Sequence, residues 1–194
     1  MKQDVLEPGG TYHIFNRGNN KEDIFRELEN YQYFLYLLKK YLVPVCDIYA
    51  YCLLKNHFHL LLRLKDPQDL SPKLCEKPHL AFSHLFNAYT KAFNKRYGRS
   101  GSLFQEHIKR KRVEDEKYLI QLIAYIHLNP VKHGFTEDYK TYKFSSYQAY
   151  KSSKPSLLKR EYILSLIDPE VFEHWHDERK LQTDYLSNFL QGQT

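Results

Sequence analysis

The stretch from Val45 to Leu64 constrains this chain more than any other part of it. Val45 to Leu54 is a β-rich apolar run, Lys55-Asn56 has the character of a tight turn, and His57 to Leu64 resumes as a strand. Alternate residues of a strand share a face. Phe58, Leu60, Leu62 and Leu64 therefore point one way, into a core that helices must cover, while His57, His59, Leu61 and Arg63 point the other way. A sheet of this kind needs a second layer on its apolar face.

The flanking sequence supplies that layer. Thr11 to Phe15 reads as a strand ending in the loop residues Arg17-Gly18-Asn19-Asn20. From Glu27 to Leu42, apolar residues recur at Tyr31, Phe34, Leu35, Leu38, Tyr41 and Leu42, the period of an amphipathic helix stopped by Pro44. Asp66 to Pro78 holds three prolines and reads as a loop. Leu80 to Tyr97 is helical and ends at Gly98 and Gly101; Leu103 to Val113 reads as a strand. Glu114-Asp115-Glu116 then sets acids on the first turn of a third helix, where they favour its dipole. That helix is expected to end near Asn129, because Pro130 disfavours helical geometry at the residue before it. The order βαββαβ is the split βαβ, ferredoxin-like pattern. The expected fold is α+β: an antiparallel sheet, two helices on one face, and the helix around Tyr125 on the other.

The length, 194 residues, suits one domain plus an appendage. We expect a domain over residues 1–150 and a helical C-terminal extension over 151–194. In the extension, Lys151 to Lys159 is a basic linker, while Glu161 to Ile167 and Pro169 to Leu190 are helical; the expectation is that it packs on the domain. With 42% hydrophobic and 27% charged residues, a wholly disordered chain is excluded. No run approaches the roughly 18 apolar residues of a membrane span, and the polar start from Met1 to Gly10 lacks the pattern of a secretory signal. Cys46, Cys52 and Cys75 form no CxxC pair, which argues against a zinc finger and for reduced thiols in the cytoplasm.

Charge points toward a polyanion. Lysine and arginine outnumber acids 29 to 23, a net charge of +6. Between Lys91 and Arg112 eight basic residues stand against the single acid Glu106, with Phe93, Tyr97 and Phe104 among them. Cations beside aromatic faces suit single-stranded nucleic acid. A solvated basic face over core aromatics reads the window equally well.

Two short motifs could build one site. In Asn56-His57-Phe58-His59 the two imidazoles share a strand face and could chelate one ion, or they are simply two half-exposed strand histidines. In Tyr125-Ile126-His127-Leu128-Asn129-Pro130, Tyr125 and Asn129 lie four apart on one helix face, at the margin of the packing stripe Leu119, Leu122, Ile123 and Ile126. Asn129 could supply an amide oxygen as a third ligand and Tyr125 a phenol beside it; Asn-Pro is also an ordinary helix stop. His127 points elsewhere.

At these residues the chain resembles the single-tyrosine HUH transposases, in particular the REP-associated tyrosine transposases. The likeness runs from Tyr12 to about Tyr150. It takes in Tyr12-His13, Asn16-Arg17-Gly18-Asn19, Ala50-Tyr51-Cys52-Leu53, His57-Phe58-His59, Phe93-Asn94-Lys95-Arg96-Tyr97, Gly101-Ser102-Leu103-Phe104-Gln105, Tyr125 to Val131 and Ser145-Ser146-Tyr147. Two departures stand out: Leu54-Lys55 replaces the usual Met-Pro before the histidine strand, and the loop from Asp66 to His79 is long.

The resemblance implies an enzyme that cuts and rejoins single-stranded DNA. Tyr125 would attack a phosphodiester to form a 5′-phosphotyrosine, with His57, His59 and Asn129 holding Mg²⁺ or Mn²⁺; the imidazoles equally suit Zn²⁺. It implies a hairpin-forming repeat as substrate. Phosphates would meet Arg17, Arg96, Arg99, Lys109, Arg110 and Arg112, and the loop bearing Asn16 and Asn19 would offer amides to base edges. The implied location is cytoplasmic, at the nucleoid. Monomer and homodimer both stay open. So do two other classes: a DNA-binding protein of the same fold without turnover, and a metal-dependent hydrolase in which Tyr125 is structural.

Overall fold

The structure, a computed structural model, describes residues 4–180. Four strands form one antiparallel sheet in the order β2-β3-β1-β4: β1 Thr11–Arg17, β2 Cys46–Leu54, β3 His57–Leu64 and β4 Lys109–Val113. Helix α1, Leu28–Tyr41, follows β1, and α3, His79–Tyr97, follows β3 after a short helix α2, Pro72–Glu76. Helix α4 is Glu116–Lys132; the short helices α5, Tyr147–Tyr150, and α6, Arg160–Leu166, lead to α7, Phe172–Lys180. This is the expected mixed fold with its four-stranded antiparallel sheet.

The alternation of β3 assigns the layers. Phe58, Leu60, Leu62 and Leu64 are wholly buried. The Phe58 ring lies 5.3 Å from Phe34 of α1 and 5.5 Å from Phe86 of α3. Both helices therefore cover that face. On the other face His59 meets Tyr125 of α4 edge-on, with ring centroids 5.6 Å apart.

Local chemistry sets the element ends. Gly98 stops α3 in the left-handed region at φ +60° and returns its N–H to Asn94. Gly18, just past β1, sits where a Cβ would lie 2.1 Å from the Glu22 carbonyl oxygen, so no side chain fits. That close approach turns the chain after Arg17; Gly18 N–H then bonds to Asn56 and Asn19 N–H to Leu103.

Several boundaries differ from expectation. The third helix runs through Pro130 to Lys132 rather than ending near Asn129. Proline removes a single N–H bond, and the Asn129 amide adds a bond in the same turn, Nδ2 donating to the Tyr125 carbonyl at 2.8 Å. Leu103 to Val113 is not one strand. Phe104 makes an isolated bridge to Gly18, the chain then bulges through His107 at φ +63°, and pairing resumes at Lys109 opposite Phe15. The proline-rich segment expected as loop holds a turn of 3₁₀-helix and α2, both begun by prolines whose fixed φ suits a first helical position. In the expected helix from Pro169 to Leu190, residues 169–171 form a turn, α7 accounts for Phe172–Lys180, and residues 181–190 lie outside the described residues. Among the described residues no helix is long and apolar enough to cross a membrane.

Candidate active site

The site lies on the α4 face of the sheet, at the end where β1 finishes and β3 begins. Arg17 pairs with His57 and Phe15 with His59 across these antiparallel strands. A cleft of about 420 Å³ opens there, lined by Phe15, Asn16, Arg17, His57, His59, Lys109, Tyr125, Lys132 and His133 among others. The sequence-predicted histidines and tyrosine thus converge from two strands and one helix.

Each imidazole has one nitrogen committed. His57 Nδ1 is 2.6 Å from the Asn56 amide oxygen, which only accepts, so Nδ1 carries the hydrogen and Nε2 the lone pair. His59 Nδ1 is 2.9 Å from His13 Nε2 in a buried pair. One ring donates and the other accepts; with His59 as donor, its Nε2 keeps the lone pair. The His57 ring also meets His133 edge-on at 4.7 Å.

Burial keeps these rings neutral. It pushes His57 down to about 3, reinforced by His133, Arg17 and Lys132. His59 is pushed well below the usual imidazole range, first by burial and then by the neighbouring histidines and Lys132. His13 falls to about 3 through burial and the Lys111 charge. Neutral imidazole is the form that binds metal.

Tyr125 is half-buried, with His59 on one side and His13 6.1 Å away edge-on. Burial raises its phenol above the ordinary value, and the Asn129 amide opposes that rise. The Lys132 ammonium stands 5.0 Å from the ring centroid and adds positive charge.

Asn129 sits differently from its neighbours. It is completely buried and does not line the cleft. Its Nδ2 holds the Tyr125 carbonyl, and its Oδ1 has no partner. A buried amide oxygen left without a partner is costly and stands ready to accept a ligand. Two imidazoles with free Nε2 atoms and one orphaned amide oxygen are a donor set that fits a divalent ion. Among the described residues no group of three His, Cys, Asp or Glu is placed to hold a metal, so a third protein ligand would come from another kind of group, such as the Asn129 amide.

The expected DNA contacts separate into three groups. Arg17 and Lys109 line the cleft, and Asn16 is buried at its edge, with Nδ2 donating to the Gln105 carbonyl. Asn19 donates to the Ser102 carbonyl. Arg96 is paired with Glu27, Arg99 with Glu22 and Asn94, and Arg112 with Glu7, while Arg110 donates to the Asp4 carbonyl. Strand alternation explains the split. Lys109 and Lys111 of β4 face α4, Lys111 reaching the Tyr118 ring, whereas Arg110 borders the cavity beneath α3 on the opposite face.

Sequence reading missed His13, His133, Lys132 and Lys111. His13 had a signal, since β1 alternation sets His13, Phe15 and Arg17 on one face and β1 adjoins β3 in this topology.

No protein-family model matches the chain. It is 32% identical over 101 residues to a curated Haemophilus influenzae protein provisionally named REP-associated tyrosine transposase, a match covering 50% of this chain and 57% of the relative. The chain thus matches little more than half the length of that relative. Among solved structures, the REP-associated tyrosine transposase bound to a REP hairpin superposes with a TM-score of 0.61, at 20% identity, covering 80% of this chain and 88% of the other. In sequence over half its length, and in fold over most of it, this chain is similar to REP-associated tyrosine transposases.

Proposed function

We propose that this protein is a metal-dependent transposase or endonuclease acting on single-stranded DNA, with Tyr125 as nucleophile and a hairpin-forming repeat as substrate. The observation that carries this reading is the convergence of the Tyr125 phenol with His57 and His59 in one cationic cleft. In this reading residues 1–150 form the catalytic unit, residues 151–194 are a helical extension, and the protein works in the cytoplasm at the nucleoid.

The chemistry is a transesterification. Tyr125 Oη attacks the scissile phosphorus, the P–O3′ bond breaks, and the 3′ oxygen takes up a proton to leave as a hydroxyl. The phenol proton leaves Oη for solvent, and the strand's 5′ phosphate stays on tyrosine. Covalent capture keeps the phosphodiester energy for rejoining, when a 3′-hydroxyl attacks the same phosphorus and frees Tyr125. A half-buried phenol is a weak nucleophile near neutral pH; the Asn129 amide and the Lys132 charge favour the phenolate. Arg17 and Lys109 hold phosphates on either side of the break. His57, His59 and Asn129 would hold Mg²⁺ or Mn²⁺, which supplies charge to polarise the scissile phosphate. The nitrogen-rich donor set favours Mn²⁺ of the two.

The test is a denaturing gel of protein with 3′-labelled single-stranded DNA from the regions flanking its own gene, with Mn²⁺ or EDTA. A heat- and detergent-stable adduct that requires Tyr125 and the metal is the expected result. Cleavage that persists in Tyr125→Phe without any adduct would overturn the covalent mechanism.

A further inference from the structure

His127 lies within the tyrosine motif but faces away from the cleft, and the chemistry above does not use it. It is wholly buried, as is His176 on α7. His127 Nδ1 is 2.9 Å from His176 Nε2, and His127 Nε2 is 2.8 Å from Ser146 Oγ. The far ends of this chain fix every hydrogen. His176 Nδ1 lies 2.7 Å from the Phe172 carbonyl, which only accepts, so that nitrogen must donate. In the neutral ring His176 Nε2 is then an acceptor. His127 Nδ1 must donate to it, leaving His127 Nε2 to accept from Ser146 Oγ–H. Ser146 Oγ in turn accepts from Tyr51 N–H of β2 at 2.9 Å.

The result is an unbroken rung from α7 through α4 to the sheet, with each named polar atom paired. Satisfied buried networks rigidify and specify one arrangement. Contacts beside the rung seat α7 further. Phe172 is buried against Tyr150 at 5.0 Å, Tyr139 Oη donates to Asp177 at 2.7 Å, and Lys140 Nζ bridges Glu173 and Asp177. Helix α4 is therefore gripped from its outer side by a segment beyond Tyr150, where the family resemblance has faded, and the grip closes two residues from Tyr125.

We propose that His176 is a positioning residue: acting through His127 and Ser146, it fixes the rotation and height of α4 and so sets Tyr125 against the histidines. The kinetic part of this proposal rests on Tyr125 being the nucleophile. The structural part does not.

The experiment compares full-length wild type with His176→Leu, which removes both nitrogens, and His176→Gln, which can restore a donor and an acceptor. Two readouts separate positioning from general damage. The first is the split between DNA affinity and the single-turnover rate of adduct formation. In His176→Leu affinity stays within about twofold while the rate falls between about tenfold and a hundredfold, the scale of a nucleophile displaced by a fraction of an ångström; His176→Gln recovers most of it. The second needs no DNA: the ¹³Cζ resonance of Tyr125, assigned with Tyr125→Phe, shifts or broadens in His176→Leu and returns in His176→Gln. A folded His176→Leu with an unchanged Tyr125 resonance overturns the proposal, as does a rate loss matched by an equal loss of affinity. If His176→Leu does not fold, Ser146→Ala breaks the rung at its other end and carries the same expectations. If wild type forms no adduct, the nucleophile assignment fails and the Tyr125 resonance still decides the positioning.

Discussion

His13 Nε2 and His59 Nδ1 face each other at 2.9 Å, buried between β1 and β3. The pair holds the orientation of the His59 ring. Groups that orient a metal-binding imidazole are commonly worth about 10–100-fold in affinity. His13→Leu should therefore weaken Mn²⁺ binding by about that factor, with partial recovery in His13→Gln. Titration of free Mn²⁺ by electron paramagnetic resonance reads the change directly. Equal affinity in wild type and His13→Leu would count against the pair as an orienting device.

Lys109 and Arg112 both stand on β4 but have different prospects. Lys109 is exposed at the cleft, whereas Arg112 is paired with Glu7. A lysine that meets a phosphate contributes nearly one unit to the salt dependence of binding. Lys109→Ala should lower the slope of log K against log salt by about 0.7 to 0.9, and Arg112→Ala by clearly less. Fluorescence anisotropy with a single-stranded oligonucleotide from 50 to about 200 mM salt measures both. Equal slopes for the two variants would show that the ion pair does not withhold Arg112.

Buried neutral imidazoles make the fold acid-sensitive. Burial depresses His13 and His57 to about 3 and His176 to about 4, and it also lowers His59, His127 and His133. Below about pH 6.5 the unfolded chain binds protons that the native state refuses, so stability falls as the pH drops. Each such ring contributes at most about 1.4 kcal/mol per pH unit, across a window from the unfolded value near 6.5 down to its own folded value. Urea denaturation at pH 7.5, 6.0 and 5.0 should show a steepening loss. A flat profile above pH 5 would mean that these rings are protonated in the native state.

Gly18→Ala tests the turn after β1. Its Cβ would meet the Glu22 carbonyl oxygen at 2.1 Å, and backbone must move to relieve the clash. Overpacking of this kind typically costs about 1–3 kcal/mol. Denaturant midpoints give the loss; a variant as stable as wild type would show that the loop can open freely.

Much of this arrangement can be read from residues alone, for definable reasons. The two-residue turn at Lys55-Asn56 and the alternation through His57–Leu64 give the centre of the sheet, because a one-residue slip would exchange the apolar set under α1 and α3 for the histidine face. The helix that carries Tyr125 follows from its apolar stripe. Its end does not: a local rule about Pro130 yields to the Asn129 side chain, which bonds back to the Tyr125 carbonyl. The basic window from Lys91 to Arg112 reads as one track in sequence. In space, β4 divides it between two faces, and Glu27, Glu22 and Glu7 engage several of its arginines from distant positions. No periodicity encodes those pairings. His13 is hidden for a related reason: its partner is 46 residues away, and only the strand order brings them together.

The two borders of the sheet are guarded by different means. Along β2 the chain supplies its own cover, through a bridge from Cys52 to Ser145 and another from Ile48 to Leu158. Along β4 the guard is charge. Lys109, Arg110, Lys111 and Arg112 follow one another on the border strand, and the Asp4 carboxylate occupies the Arg112 N–H. A second copy approaching with its own β4 would bring two rows of cations together, so stacking of sheets border to border is disfavoured. The charge of these four residues thus works against identical molecules joining there, and solubility at high concentration should suffer first when they are neutralised.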